Sequence, residues 1–444
     1  MSSAVKKFIK EYSEELIAGK AAYFIGAGIS VNSNLPSWTE LIKPFAKKIG
    51  IKDIIGKDMT LMAQYVINEE FGNKGPFLDS ISRKFRRRYF PNPYHYAISK
   101  TNITTIWTTN YDNLLEEVFA NVATDIKFTD ESISRDVPDN KVEIIKMHGC
   151  IYNSHRSDIT ITQSDYEDFF EKKPAIVQRL RMDLLQKSFL FIGYGYNDSN
   201  IQNIITEARR LSGNNTRQHY LITTDKKSRE FDLWCLNLRR YGIRVIRINK
   251  NEDLLPILES LSLHSRGRSV FITGSHNTFS SKNAKKLSKK LARIPETIFN
   301  DGQSSGLMRI ASNAFMETII DNKDDVTKRF RFFPNPYSAN PKFANDVSLL
   351  PTLKEWRIPL FKSTYVVIAF DGGMGTKAEV EIALDMGCIV IPFFSDKKSE
   401  TWQLLKNKLL IERIEKHDKK YIKNLRKEII KYNDLLRIIK NILR

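Results

Sequence analysis

Apolar positions along this chain follow two alternating rhythms. Short apolar runs, each ending in glycine or polar residues, are separated by stretches in which apolar residues recur at helical spacing. Ala22-Tyr23-Phe24-Ile25 is the first run; it stops at Gly26, with Gly28 two residues further on. Ile103–Thr109, Val142–Met147, Phe189–Ile192 and His219–Thr223 repeat the design, as do Ser269–Thr273, Tyr365–Phe370 and Cys388–Phe394. Between them, Val5–Ala18 places Phe8, Ile9, Tyr12, Leu16 and Ile17 on one helical face. Ser37 is a suitable N-cap for a helix through Ile49, Asp53–Arg88 reads as helical, and Pro91 and Pro93 precede a short helix at His95–Ser99. This alternation of β and α predicts parallel sheets covered on both faces.

The polar, punctuated stretch Leu261–Arg268 reads as a connection between domains. The predicted organisation is α/β: two Rossmann-like parallel-sheet domains, over 1–262 and 269–396, followed by a basic helical tail over 400–444. In that tail Ile422, Leu425, Ile429, Tyr432, Leu436, Ile439 and Leu443 alternate spacings of three and four. Such a seam suits packing on the tail's own domain or an oligomer interface. The string F-P-N-P-Y occurs at Phe90–Tyr94 and at Phe333–Tyr337; its different surroundings mark it as coincidence rather than duplication.

Composition narrows the function classes. With 444 residues, 41% hydrophobic and 27% charged, the chain is of ordinary globular make-up and too long for one core. No apolar run approaches the roughly 20 residues of a membrane helix, and Met1–Lys20 has no signal-peptide core, so a cytoplasmic protein without a membrane partner is expected. Three scattered cysteines offer neither a disulfide framework nor a zinc site. The net charge of +19 points to an anionic partner, for which nucleotides, nucleic acid and lipid all qualify. The basic cluster Arg83–Arg88 fits a solvated helix face better than a phosphate contact.

In parallel sheets, ligands bind beyond the carboxyl ends of the strands, where the polar residues of this chain collect. Gly26-Ala27-Gly28-Ile29-Ser30 suits a tight turn near a diphosphate, with Ser30 opening a helix. It lacks the third glycine of the dinucleotide fingerprint, since Val31 follows Ser30. Together with Thr108-Thr109-Asn110-Tyr111-Asp112 and Lys146-Met147-His148-Gly149, it resembles the NAD site of the sirtuin fold over roughly residues 10–225. Pro93-Tyr94-His95 and Thr109–Glu116 are closest to the bacterial sirtuin-like subgroup. The resemblance implies NAD binding by Gly26, Ala27, Gly28, Ser30, Thr109, Gly193, Gly195 and Asn197, with Asn110 and His148 acting at the nicotinamide ribose. Cleaving the bond to a cationic nicotinamide builds positive charge on the sugar. Asn110 can hold a water or a ribose hydroxyl, neutral His148 can accept a proton, and Asp112 can favour the cationic transition state. The chain departs from protein-deacylating sirtuins in lacking their four-cysteine zinc module and in carrying Leu35-Pro36-Ser37-Trp38 where they have Pro-Asp-Phe-Arg. Water then becomes the natural acceptor, with NAD hydrolysis to ADP-ribose and nicotinamide as the expected reaction and no zinc or other cofactor.

The second domain resembles the SLOG family, related to the LOG-type nucleotide hydrolases. Gly274-Ser275 follows its first strand, and Gly372-Gly373-Met374-Gly375-Thr376-Lys377-Ala378-Glu379 approximates P-G-G-x-G-T-x-x-E, with Asp371 replacing the proline. The glycines and Thr376 are expected to cradle phosphate, Glu379 to take a ribose hydroxyl, and Lys377, Arg331 and Arg357 to contact phosphate. A sirtuin-like domain followed by SLOG resembles the effectors of the bacterial Thoeris antiphage system. That family implies activation by a cyclic ADP-ribose isomer made by a TIR-domain protein, NAD depletion in abortive infection, and assembly into tetramers or higher forms. Two alternatives stand beside this reading. One is an NAD-dependent protein deacylase, which needs a peptide cleft. The other is a non-catalytic nucleotide or nucleic-acid sensor, favoured by the charge, although nucleic acid is not an expected partner.

Overall fold

The computed structural model describes residues 2–54, 56–85, 88–120, 124–137, 141–152, 158–196, 198–213, 215–335, 350–427 and 431–443. The chain forms two compact units, Met1–Ser99 with Ile103–Leu261, and Lys100–Asn102 with Ser262–Arg444. In the first, strands β1 (Ala21–Ile25), β2 (Thr105–Thr108), β3 (Thr124–Lys127), β4 (Val142–Lys146), β5 (Ser188–Ile192), β6 (His219–Thr224) and β7 (Ile243–Ile248) form one sheet in the order β3-β4-β2-β1-β5-β6-β7. Every pairing is parallel. β1 is central and buried throughout, with Tyr23 opposite Ile106 on one side and Leu190 on the other. Its residues alternate between two cores: Ala21, Tyr23 and Ile25 face one, Ala22 and Phe24 the other. The helix Ser3–Ile17 covers the first of these with Phe8 and Tyr12, and Tyr12 Oη donates to Ala22 O at 2.8 Å. No helix among the described residues is long and apolar enough to cross a membrane.

In the second unit, β8 (Arg268–Thr273), β9 (Thr297–Asp301), β10 (Phe330–Phe332), β11 (Val366–Phe370) and β12 (Ile389–Phe393) form a parallel sheet in the order β10-β9-β8-β11-β12. Among the described residues the tail holds the 3₁₀ helix Glu400–Lys406 and three short α-helices, Lys408–Glu415, Lys419–Arg426 and Tyr432–Leu443. Ile422, Leu425, Ile439 and Leu443 of the predicted seam join the core of this unit, with Tyr432 and Leu436 packed against it; Ile429 lies outside the described residues. Tyr421 Oη donates to Pro392 O of β12 at 2.9 Å, which fixes the tail to the sheet.

One helical reading changes. Asp53–Arg88 divides into Met59–Glu69 and Lys74–Phe85, broken where Phe71 and Gly72 take positive φ; Arg86 and Arg87 lie outside the described residues. The division between the two units falls at Leu261/Ser262, within the stretch read as a connection, and that stretch is well ordered. A helix runs to His264, and Arg266 is fully buried, donating to the carbonyls of Ser262, Phe361, Thr364 and Met386.

The glycines after β1 have a packing role that the sequence does not disclose. Gly26 N donates to Ile192 O and Gly28 N to Gly193 O, both at 2.9 Å. A Cβ at Gly26 would lie 2.5 Å from Gly193 O, and one at Gly28 2.9 Å from the same atom. Gly193, at φ +62°, is equally closed: its Cβ would meet Ile29 N at 2.7 Å. The loops after β1 and β5 thus pack backbone to backbone, at the point where the strand order reverses. Gly26→Ala is expected to cost about 1–3 kcal/mol, the usual penalty of overpacking, measured as a lowered denaturation midpoint. An unchanged midpoint would mean that the two loops are not held in this contact.

Candidate active site

The carboxyl ends of β1 and β2 build a buried polar network. Thr108 Oγ1 donates to Ile25 O at 2.8 Å and accepts from Asn110 N at 3.0 Å, which turns the chain at the end of β2. Asn110 Nδ2 donates to Ser30 Oγ at 3.2 Å and Gly26 O at 3.4 Å, and Ser30 Oγ donates to Asp112 Oδ2 at 3.0 Å. Asn110 Oδ1 is buried and has no hydrogen-bond partner among the described residues. Below this network Lys146 is fully buried, pairs with Glu116 at 2.7 Å, and donates to the carbonyls of Tyr111 and Asp112. That ion pair fixes the Tyr111–Asp112 backbone from beneath.

His148 follows β4 and enters a separate cluster. Burial pushes its imidazole down to about 4, Asp198 and Asp165 opposing that shift and Lys173 reinforcing it. Its Nε2 lies 3.3 Å from Asp198 Oδ2, and its ring meets Tyr166 and Phe169 edge-on at 5.2 and 6.0 Å. Asp198 is the N-cap of the helix Ser199–Ser212, accepting from Asn200 N and Ile201 N, and Tyr166 Oη donates to its Oδ2 at 3.2 Å.

Among the predicted residues, Gly26, Gly28, Ser30, Thr109, Asn110, Asp112, His148 and Gly193 all follow the carboxyl ends of β1, β2, β4 and β5. Ala27 and Gly195 are exposed there, and Asn197 lies outside the described residues. The helix expected from Ser30 is absent: Ala27–Ile29 and Val31–Ser33 are single 3₁₀ turns, and the next α-helix starts at Trp38, capped by Ser37. No helix N-terminus therefore points at a diphosphate from Ser30. The loop is instead held by Asn92, whose Nδ2 donates to Ile29 O at 2.8 Å and Ser33 Oγ at 2.9 Å. Sequence reasoning missed Asp198, Tyr166, Lys146 and Glu116. Asp198 carried a signal as an N-cap aspartate directly before an amphipathic run, and Lys146 and Glu116 lie within the stretches that carry the resemblance, where neither was assigned a role.

In the second unit Gly274, at φ +148°, presses on Phe370 and Leu307, and Ser275 N donates to Asp371 O at 2.7 Å. The Asp371 carboxylate, in place of the motif proline, accepts from Ser395 N at 2.9 Å and Asp396 N at 3.1 Å, joining the ends of β11 and β12. Gly372 leaves room for Thr376, whose Oγ1 a Cβ would meet at 2.3 Å, whereas Gly373 and Gly375 face open space. Glu379 accepts from Thr273 Oγ1 at 2.5 Å and pairs with buried Arg357 at 2.9 Å. Arg357 also donates to Gly302 O and Ser304 Oγ, both at 2.9 Å. Lys377 turns to Gln403 at 3.2 Å. Arg331, on β10, is largely buried with no carboxylate partner among the described residues, and burial lowers its pKa.

Three histidines of the first unit are held neutral by burial: His95 and His148 at about 4, His219 at about 3. Nδ1 of His95 accepts from Asn92 N and that of His219 from Phe189 N, bonds that protonation would break. Their folded values lie below the unfolded value of about 6.5, so the unfolded chain binds more protons in this window. Stability is expected to be complete above about pH 6.5 and to fall as the pH drops toward 4, read from denaturant midpoints. His219→Asn, which keeps an acceptor, should flatten that slope; an unchanged slope would exclude a contribution from this group.

The residues 104–246 match the family model of the SIR2-like domain. The chain is 29% identical over 359 residues to the NAD(+) hydrolase ThsA of Bacillus cereus (strain MSX-D12), covering 75% of each chain. It is 28% identical over 427 residues to the NAD(+) hydrolase ThsA of Acinetobacter baumannii (strain 532279), covering 87% of each. A match to Defense-associated sirtuin 2 of Bacillus subtilis, at 24% identity, spans 64% of this chain and 28% of that protein. The ThsA matches extend well beyond the sirtuin-like sheet, and the chain is similar to these ThsA proteins over most of its length.

Proposed function

We propose that this chain is a ligand-activated NAD+ hydrolase, converting NAD+ and water to ADP-ribose, nicotinamide and a proton. The observation that carries the reading is the buried Asn110 Oδ1, without a partner among the described residues and held beside Ser30 and Asp112 at the carboxyl edge of the sheet. A buried amide oxygen without a donor is costly, and a ribose hydroxyl or an attacking water supplies that donor. As the bond to nicotinamide breaks, Asp112 favours the positive charge developing on the sugar and neutral His148 accepts the proton released by water. The names of the ThsA relatives support the same reaction. In this reading His148→Ala and Asn110→Ala each lower nicotinamide release by at least about 10²-fold while the fold is kept. Near wild-type turnover in either folded variant would overturn the assignment, and acyl-peptide-dependent nicotinamide release would favour a deacylase.

The second unit is, in this proposal, a SLOG-type sensor for a cyclic ADP-ribose isomer made by a TIR-domain protein, acting in an oligomer and depleting NAD during phage infection. The open space at Gly373 and Gly375 supports a ligand at the loop after β11, and Arg331 on β10 is a second candidate cation, without a carboxylate partner among the described residues. An activator must bind the active state more tightly than the resting one, and couplings of this kind are typically about 1–3 kcal/mol per site. Gly373→Asp and Glu379→Ala are expected to abolish both calorimetric binding of the cyclic nucleotide to the full chain and its stimulation of NAD turnover. Stimulation that survives both substitutions would place the sensor elsewhere.

A further inference from the structure

Among the described residues His148 Nε2 has no hydrogen-bond partner, yet that nitrogen is sealed from solvent and the Asp198 carboxylate is its neighbour at 3.3 Å. Asp198 is itself immobilised: Oδ1 takes Asn200 N at 3.0 Å and Ile201 N at 3.1 Å, and Oδ2 takes Tyr166 Oη at 3.2 Å. The ring is wedged edge-on against Tyr166 and Phe169. Of the charged groups around it, Asp198 and Asp165 favour the protonated ring, while Lys173, tied to the carbonyls of Met147 and Asp158, opposes it. A neutral imidazole carries one N–H, and a carboxylate can only accept, so the proton belongs on the nitrogen that faces Asp198.

We propose that Asp198 is the positioning residue of His148: it holds the neutral ring in its Nε2–H tautomer, leaves Nδ1 as the proton acceptor, and shares the charge when the ring is protonated. The inference rests on the NAD-hydrolase reading above and gives that reading its general base. The proton released by water goes to Nδ1, and the positive charge on the ring then lies against the Asp198 carboxylate. Burial holds the imidazole at about 4 even with Asp198 opposing the shift, so without that carboxylate the ring would be a still weaker base. Asp198 offsets part of that loss at the moment of proton transfer.

Asp198→Asn tests this directly. The amide oxygen can keep the helix cap at Oδ1, while the amide nitrogen replaces Oδ2 and donates to Nε2, forcing the opposite tautomer. A comparable change in a serine-protease triad leaves the geometry intact and lowers kcat by about 10⁴-fold. Here the expected result is a fall in kcat of about 10³–10⁴-fold, with KM within a few-fold and the melting temperature unchanged. The ¹⁵N spectrum of histidine-labelled full-length protein, assigned with His148→Gln, reads the tautomer independently of turnover. Nε2 of His148 should be protonated in the parent chain and unprotonated in Asp198→Asn. Nδ1 protonated in the parent, or one tautomer in both proteins together with wild-type turnover, would overturn the proposal. If Asp198→Asn does not fold, Tyr166→Phe removes the other donor to Oδ2. The pKa of His148 should then rise, and no movement would equally overturn the proposal. An active His148→Ala would instead sink the hydrolase reading and leave the tautomer measurement standing.

Discussion

The first unit depends on one close approach. The loop after β1 and the loop after β5 meet where the sheet reverses its strand order, and neither can carry a side chain there: Gly26 and Gly28 press on Gly193, and Gly193 on Ile29. This contact sets the height at which Ser30 leaves β1, and Ser30 Oγ in turn bridges Asn110 and Asp112. A parallel sheet brings the ends of neighbouring strands to one edge, but edge residues do not become a network without such a pin. Asn92 supplies a second one, gripping Ile29 O and Ser33 Oγ from the far side of the loop.

Below that edge, charge is buried in matched groups. Lys146 would be prohibitive alone, yet it pairs with Glu116 and donates to two carbonyls. Its coupling to the Asp112 backbone makes the position of the Asp112 side chain a consequence of an ion pair lying deeper in the fold. Lys127, Glu143 and Arg179 repeat the device away from the site, with Glu143 between the two cations at 2.8 and 2.6 Å. His148 differs in kind. It is kept neutral by burial and faces a carboxylate instead of a matching bond, so its surroundings favour proton uptake more than an apolar pocket would.

Much of this was legible in the chain. The β1, β2, β4 and β5 runs are fully buried strands, and apolar runs with polar ends are what such strands look like, β4 keeping its Glu143 buried by pairing it with Lys127 and Arg179. Strands β3 (TDIK) and β10 (FRF) lie at sheet edges, short and mixed in polarity, and give no comparable signal. β7 hides for a related reason: as an edge strand it carries Arg244 and Arg247, which pair with Glu11 and Asp232. Of the candidate site residues, Asn110, Asp112 and His148 stood out in the sequence, and each stands within a few positions of a strand end. Those that did not, Lys146 within β4 and Tyr166 in the helix Gln163–Glu167, act through contacts distant in sequence, and no local pattern encodes such a contact.

The doubled F-P-N-P-Y string shows how a local pattern can carry meaning without ancestry. In the first copy Asn92 donates to Ser33 Oγ at 2.9 Å; in the second Asn335 donates to Ser304 Oγ at 3.2 Å, while Pro336 and Tyr337 lie outside the described residues. Each serine sits in a loop that follows a strand of its own sheet, Ser33 after β1 and Ser304 after β9. Flanking prolines explain the recurrence. The residue before a proline is held near extended backbone, and each proline removes an N–H that would need a partner. An asparagine between them has a fixed main chain and a side chain free to reach across, so it suits the task of anchoring a loop wherever one is needed. Ser304 is also held by Arg357, which pairs with Glu379, so in the second unit the same device reaches the residues expected to receive the activator.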